Sequence, residues 1–176
     1  MLRITTIALT TSTILLLSGC SESVSEPQTQ APSTENTEQP TPHDWVLTSP
    51  PEGDVSITEA KANAKEGDQI VIRGRIGGRH EPISADSPVF TIVDLGLEYC
   101  GQTTDDRCGT PWDYCCETRA TIASNSATVQ VQGDAINLIG AGLEPLDEII
   151  LIGTVGPRPD QQMFTILATG IYRVDG

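Results

Sequence analysis

The sequence predicts an all-β domain: a five-stranded Greek-key barrel, preceded by one short helix and interrupted by a cysteine-rich loop. Three observations carry that expectation. Apolar residues recur at every second position in short segments between 69 and 174, the period of a strand with one buried face. Glycines punctuate the first of these segments, where a long strand must curl. A longer connection separates the third segment from the fourth, as in a small Greek-key barrel.

The barrel accounts for only part of the chain. Residues 1–20 read as a signal peptide: Arg3 supplies positive charge before an apolar, threonine-bearing run at 4–17, which is short for a permanent span. Leu17-Ser18-Gly19-Cys20 then places small residues immediately before a cysteine. This tetrapeptide resembles the lipobox of bacterial lipoproteins. The resemblance implies cleavage before Cys20, acylation of that residue, and a membrane partner engaged through the acyl chains, each buried methylene contributing about 0.8 kcal/mol. Ser21, where an aspartate would signal retention, implies a cell-envelope protein on the periplasmic face of the outer membrane. The alternative is an ordinary exported chain with Cys20 free.

Residues 21–44 form a spacer of Ser, Thr, Glu, Gln, Pro and Ala, too poor in apolar side chains to offset the entropy of ordering. The domain is expected over 45–176, with order resuming near Trp45. All 24 acids lie beyond Cys20, so the mature chain carries 9 basic residues against 24 acidic ones, a net of −15. That field disfavours nucleic acid and anionic headgroups unless a local basic patch overrides it.

Ser56-Ile57-Thr58-Glu59 is a capping box, and the alanines and lysines after it predict a helix over 57–65 that ends before Gly67. The first strand follows at 69–77, with Ile70, Ile72 and Ile76 on one face and Val71, Arg73 and Arg75 on the other. Gly74 and Gly77-Gly78 supply its bend. The second strand, 89–95, turns Phe90 and Ile92 inward and Val89, Thr91 and Val93 outward. The third, 127–132, turns Val129 and Val131 inward, and 135–143 is a short helix or loop. The apolar run 148–155 suits a central strand, and a closing strand at 163–174 is broken at Gly170.

Five strands in this arrangement predict the OB fold. The segments Ile57-Thr58-Glu59-Ala60-Lys61, Asp68-Gln69-Ile70-Val71-Ile72-Arg73-Gly74-Arg75-Ile76 and Phe90-Thr91-Ile92-Val93-Asp94 resemble periplasmic bacterial OB-fold proteins. The insertion at 99–118 departs from them. Its Pro111-Trp112-Asp113-Tyr114-Cys115-Cys116-Glu117 block is similar to an element of planctomycete-type lipoproteins. Neither resemblance implies an activity.

The insertion concentrates the chemistry. Cys100, Cys108, Cys115 and Cys116 are spaced C-x7-C-x6-C-C, and an even count in an exported chain reads first as disulfides. A bridge between the neighbours Cys115 and Cys116 would be strained, which leaves Cys100 paired with Cys115 or Cys116 and Cys108 with the other. Each bridge would contribute about 2–3 kcal/mol. The alternatives are a zinc or copper site built from the four thiolates, with Asp105, Asp106, Asp113 and Glu117 nearby, or a redox-active pair. Under the disulfide reading no cofactor is required.

Trp112 and Tyr114 stand out in a chain with 4% aromatics, and with Arg73 and Arg75 they offer a candidate partner surface. Arg73, Arg75 and Arg79 form a small basic stripe. However, the outward strand positions carry no aromatic on which a base could stack, and Glu148 and Asp94 offer ion pairs instead. A single-strand-binding OB domain is thus the minor alternative. No Ser/His/Asp arrangement, phosphate-cradling glycine loop or helical metal motif is present, and the only histidines are His43 and His80. The sequence therefore points to a non-enzymatic, lipid-anchored binding module for an envelope protein or small ligand.

Overall fold

Strand β2, at Gln69–Ile76, is the element that closes the sheet, because it serves two partners along its length. Its residues Gln69 to Arg75 pair antiparallel with β5 (Glu148–Val155), while Arg75 and Ile76 pair with β3 (Val89–Val93). From β3 the sheet runs antiparallel to β4 (Ser126–Val131), parallel to β6 (Thr165–Arg173), and antiparallel back to β5. The ring β2-β3-β4-β6-β5 is the strand order of an OB-fold barrel. These features belong to a computed structural model that describes residues 44–103, 107–134 and 136–174. The signal peptide at 1–20, Cys20, the spacer up to His43, and Asp105 and Asp106 lie outside the described residues.

Gly74, expected at a bend, lies just before the point where β3 joins the second edge of β2. A Cβ on Gly74 would stand 2.8 Å from Ile57 Cδ1 and 3.1 Å from the Val93 carbonyl. A short strand not anticipated from sequence, β1 (Val55–Ser56), runs parallel to β2 beside Ile72 and Arg73, filling the gap between β2 and β3. Ile72, Ile76, Phe90, Ile92, Val129, Leu151 and Ile166 meet inside the ring with no exposed surface. Trp45 is tied to the barrel: the Ile171 N–H donates to its carbonyl at 2.7 Å, and the Leu47 N–H donates to the Ile171 carbonyl at 2.8 Å. The break at Gly170 is a bulge, since Ile152 faces Gly170 but Gly153 faces Ala168.

Helix α1 covers Ile57–Asn63, with Ser56 Oγ accepting the Glu59 N–H at 3.1 Å. It buries Ile57 and Ala60 against the barrel. The helix is shorter than the predicted 57–65. Ala64 is extended, and Arg158 takes up the end of the helix instead, donating from Nη1 to the Ala64 carbonyl at 2.5 Å and from Nη2 to the Lys61 carbonyl at 2.9 Å. At the other end, Asp94 Oδ2 accepts both the N–H and the hydroxyl of Thr58 at 2.9 Å, while Oδ1 accepts the Gly96 N–H. The aspartate that ends β3 is therefore buried with its oxygens satisfied. The connection at 136–143 contains turns and no helix.

The insertion corrects the outward assignment on β3. Thr91 and Val93 are buried, because the segment between β3 and β4 folds back over them. It holds a 3-10 turn at Pro111–Asp113 and a second helix, α2, at Arg119–Ser124, whose N-cap Thr118 accepts the Thr121 N–H at 3.1 Å. The insertion docks on Gly77-Gly78. The Gly78 N–H donates to the Trp112 carbonyl at 2.7 Å, and Gly78 has a φ of 85°. A Cβ on Gly77 would stand 2.7 Å from that carbonyl oxygen and 2.9 Å from the Tyr114 ring. Backbone cannot swing aside as a flexible side chain can. Gly77→Ala should therefore cost about 1–3 kcal/mol in urea unfolding; stability equal to wild type would show that the insertion does not sit this close.

Candidate functional site

The 3-10 turn decides which side chains of the insertion face out. Pro111 opens it with a pre-set φ, and Tyr114 ends it in the left-handed region at φ 55°, ψ 37°. Asp113 braces the reversal: Oδ2 accepts the Thr110 hydroxyl at 2.8 Å and Oδ1 accepts the Cys115 N–H at 2.9 Å. The turn thereby sends Tyr114 inward under Gly77 and leaves Cys115 exposed.

Tyr114 consequently cannot form part of a partner surface, since it is 0% exposed. The Tyr114 hydroxyl and Arg75 Nη1 are both buried without a hydrogen bond of good geometry among the described residues. Burial pushes the phenol pKa up, opposed by the nearby Arg75. The Arg75 guanidinium also lies 5.0 Å over the Tyr99 ring. Arg73 is committed to Glu148 through an ion pair and an Nε–Oε1 hydrogen bond of 2.6 Å, the pairing expected from sequence. Trp112 is half-buried, its indole N–H donating to the His80 carbonyl at 3.0 Å. Of the four residues of the candidate partner surface, Tyr114 is thus internal, while Arg73, Arg75 and Trp112 remain partly exposed.

The cysteines partly follow expectation. Cys100 and Cys116 are bridged with Cα atoms 6.0 Å apart, one of the two pairings left open by the sequence. The second bridge is not formed. Cys108 and Cys115 are free, with Sγ atoms 3.3 Å apart, more than 1 Å beyond the roughly 2.05 Å of a covalent pair. Cys115 Sγ also lies 3.5 Å from Cys100 Sγ. The Cys115 thiol is pushed up to about 11, chiefly by its hydrogen bond to Cys108, then by desolvation and the Asp113 charge. One oxygen of Asp113 and the sulfurs of Cys100, Cys108 and Cys115 all lie within 4.8 Å of one another. Cys116, the fourth thiolate of the alternative metal site, stands outside this group and is joined to Cys100.

Between the insertion and the barrel lies a cleft of about 710 Å³. Its floor is the outer face of the sheet at Thr91, Ser126 and Thr128. Its walls carry Arg79 and His80 after β2, and Asp113, Cys115, Glu117 and Arg119 from the insertion. Arg79 and Arg119 make no ion pair among the described residues. A second cleft of about 620 Å³ holds Lys61 and Arg158, but both spend donors on backbone carbonyls: Lys61 Nζ reaches Ala123 at 2.5 Å and Ser126 at 3.2 Å. Burial and Arg158 lower the Lys61 pKa accordingly. Of the first cleft's residues, sequence patterning singles out Arg79, Asp113, Cys115 and Glu117 for their chemistry, and Gly78 and Thr91 for their place in the strands. Arg119 is placed by α2, for which Thr118 is the one local signal.

No family model matches the chain, and no curated protein matches it. Among solved structures, the barrel is similar to the hypothetical protein ygiW from E. coli at 18% identity, covering 73% of this chain and 98% of that one, with a TM-score of 0.40. It is also similar to the aspartyl tRNA synthetase from Entamoeba histolytica at 11% identity and a TM-score of 0.42, covering 75% of this chain but 25% of the synthetase. The barrel's assignment rests on its own strand order and register.

Peptide mapping without reductant should find one crosslink, Cys100–Cys116, with Cys108 and Cys115 available to alkylation; a Cys100–Cys115 crosslink would contradict the structure. Alkylation of Cys115 should keep accelerating as pH rises towards about 11. Cys108→Ala should move that midpoint down.

Proposed function

We propose that this chain is a non-enzymatic, lipid-anchored binding module of the cell envelope, and that the cleft under its insertion takes a small anionic ligand. The observation that carries the second part is the placement of Arg79 and Arg119, without ion pairs among the described residues, on the walls of a cleft about 710 Å³ in volume. That volume lies within the range of small-molecule sites, about 300–1,000 Å³. A guanidinium left without a partner in a chain of net charge −14 is a ready acceptor of a carboxylate or phosphate. The floor of the cleft includes the outer face of β3 and β4, the sheet region OB folds use for ligands. Here the insertion narrows that face and leaves no run of exposed aromatics for stacked bases, which favours a small ligand over a nucleic-acid strand.

The anchoring half rests on Leu17-Ser18-Gly19-Cys20 and the polar spacer behind it. With an acylated Cys20, the barrel would stand off the membrane at the end of a spacer of over twenty residues, its cleft open to solutes of the periplasm. No helix among the described residues is long and apolar enough to cross a membrane.

Calorimetric titration of the full chain with inorganic phosphate, succinate and citrate tests the ligand class. At least one should bind, and the Arg79→Ala/Arg119→Ala double variant should weaken it about tenfold or more; equal binding by that variant, or no binding of any of the three, would refute the assignment. In cells, acyl labelling and membrane recovery should both be lost in Cys20→Ala. Unchanged membrane recovery in that variant would remove the anchor.

A further inference from the structure

The insertion presents two free sulfurs and an oriented carboxylate, of which Cys115 and Asp113 line the cleft and Cys108 stands beside Cys115. We propose that Cys108, Cys115 and Asp113 bind one thiophilic divalent cation of the zinc class, with a coordination position left open towards the cleft.

The distances favour chelation over a second bridge. Two thiolates on a tetrahedral zinc, each at about 2.3 Å, stand about 3.7 Å apart. The Cys108 and Cys115 sulfurs are 3.3 Å apart, so they need to open by about 0.4 Å to hold the ion. Forming a disulfide would require them to close by about 1.2 Å.

The third donor is already aimed. Asp113 is gripped at both oxygens, by the Thr110 hydroxyl and the Cys115 N–H, and each oxygen keeps a further lone pair for a metal. Such outer contacts are what fix ligands around an ion. Asp113 and Cys115 sit two residues apart on a turn whose other side is held by buried Tyr114 and whose next residue, Cys116, is bolted to Cys100. The scaffold is therefore rigid before any metal arrives. Cys100 is not counted as a donor, because its sulfur is engaged in the bridge.

Two sulfurs and one oxygen suit zinc or its congeners. Magnesium and calcium take oxygen ligands, and copper(I) would make little use of the carboxylate. Three protein ligands satisfy three of four tetrahedral positions, and the remaining one faces the cleft that both Asp113 and Cys115 line. Binding exchanges two S–H protons, released to solvent, for two sulfur–metal bonds, with no change of oxidation state.

The site deepens the small-ligand reading of the cleft but is tested apart from it, because metal uptake is read without any anionic ligand. Full-length protein with the Cys100–Cys116 bridge intact is titrated with cobalt(II), then with zinc in competition with a chromophoric chelator. One ion per chain is expected, with a thiolate-to-cobalt charge-transfer band. Cys108→Ser and Cys115→Ser should each lower zinc affinity by more than the roughly 10–100-fold typical of an outer-shell change. Asp113→Asn keeps an oxygen for the Cys115 N–H and an amide that can donate to the Thr110 hydroxyl oxygen, and should weaken zinc about tenfold or more. Both serine variants retain the bridge, so their fold is checked by the same crosslinked peptide. Absence of the thiolate band, equal zinc affinity in the Cys108→Ser/Cys115→Ser double variant, or a preference for copper(I) with no zinc uptake would overturn the proposal. Unchanged affinity in Asp113→Asn would overturn the three-donor set.

Discussion

The close approach of the Trp112 carbonyl to Gly77 and Gly78 is the contact on which the architecture of the insertion depends. Hydrogen bonding at 2.7 Å to the Gly78 amide requires the two backbones to meet where any Cβ on Gly77 would intrude. That approach seats Tyr114 under Gly77, and the insertion as a whole covers Thr91 and Val93 on the outside of the barrel. A long polar segment would otherwise be held at its ends only. Here it is pinned to the barrel at its middle, and the Cys100–Cys116 bridge then closes it upon itself.

Pinning also separates the chemistry of neighbouring residues. Tyr114 and Cys115 are adjacent, yet one is buried and the other exposed, because the left-handed turn at Tyr114 reverses the chain between them. Cys115 and Cys116 diverge as well: Cys116 joins Cys100, and Cys115 turns to Cys108. Asp113 fixes the Cys115 side of this divergence, one oxygen accepting the Cys115 N–H and the other the Thr110 hydroxyl. The four residues Asp113 to Cys116 thereby supply a carboxylate, an anchor, a free thiol and a crosslink in sequence.

The barrel was legible in the sequence because its strands are period-two segments whose buried face does not depend on distant residues. Ile72, Ile76, Phe90, Ile92 and Val129 all stand inside as their alternation implies. The insertion was less legible, because its burial is set from outside itself. Thr91 and Val93 alternate like solvent-facing residues and are covered only because a segment some twenty residues on folds back across them. Tyr114 is buried through glycines nearly forty positions earlier. The cysteine spacing allowed two pairings of equal plausibility, and only the path of the 3-10 turn brings Cys116 to Cys100. The end of α1 was misjudged for the same reason: Arg158, far along the chain, supplies the cap that Gly67 was expected to provide.

The ring closed by β2 has a further consequence. With β2 paired to both β3 and β5, and β1 pairing with β2 beside Ile72 and Arg73, the sheet offers no long run of unpaired backbone amides and carbonyls among the described residues. An extended peptide thus has no open margin along which to dock as an added strand. Contacts to the ring are therefore made through side chains rather than by strand addition.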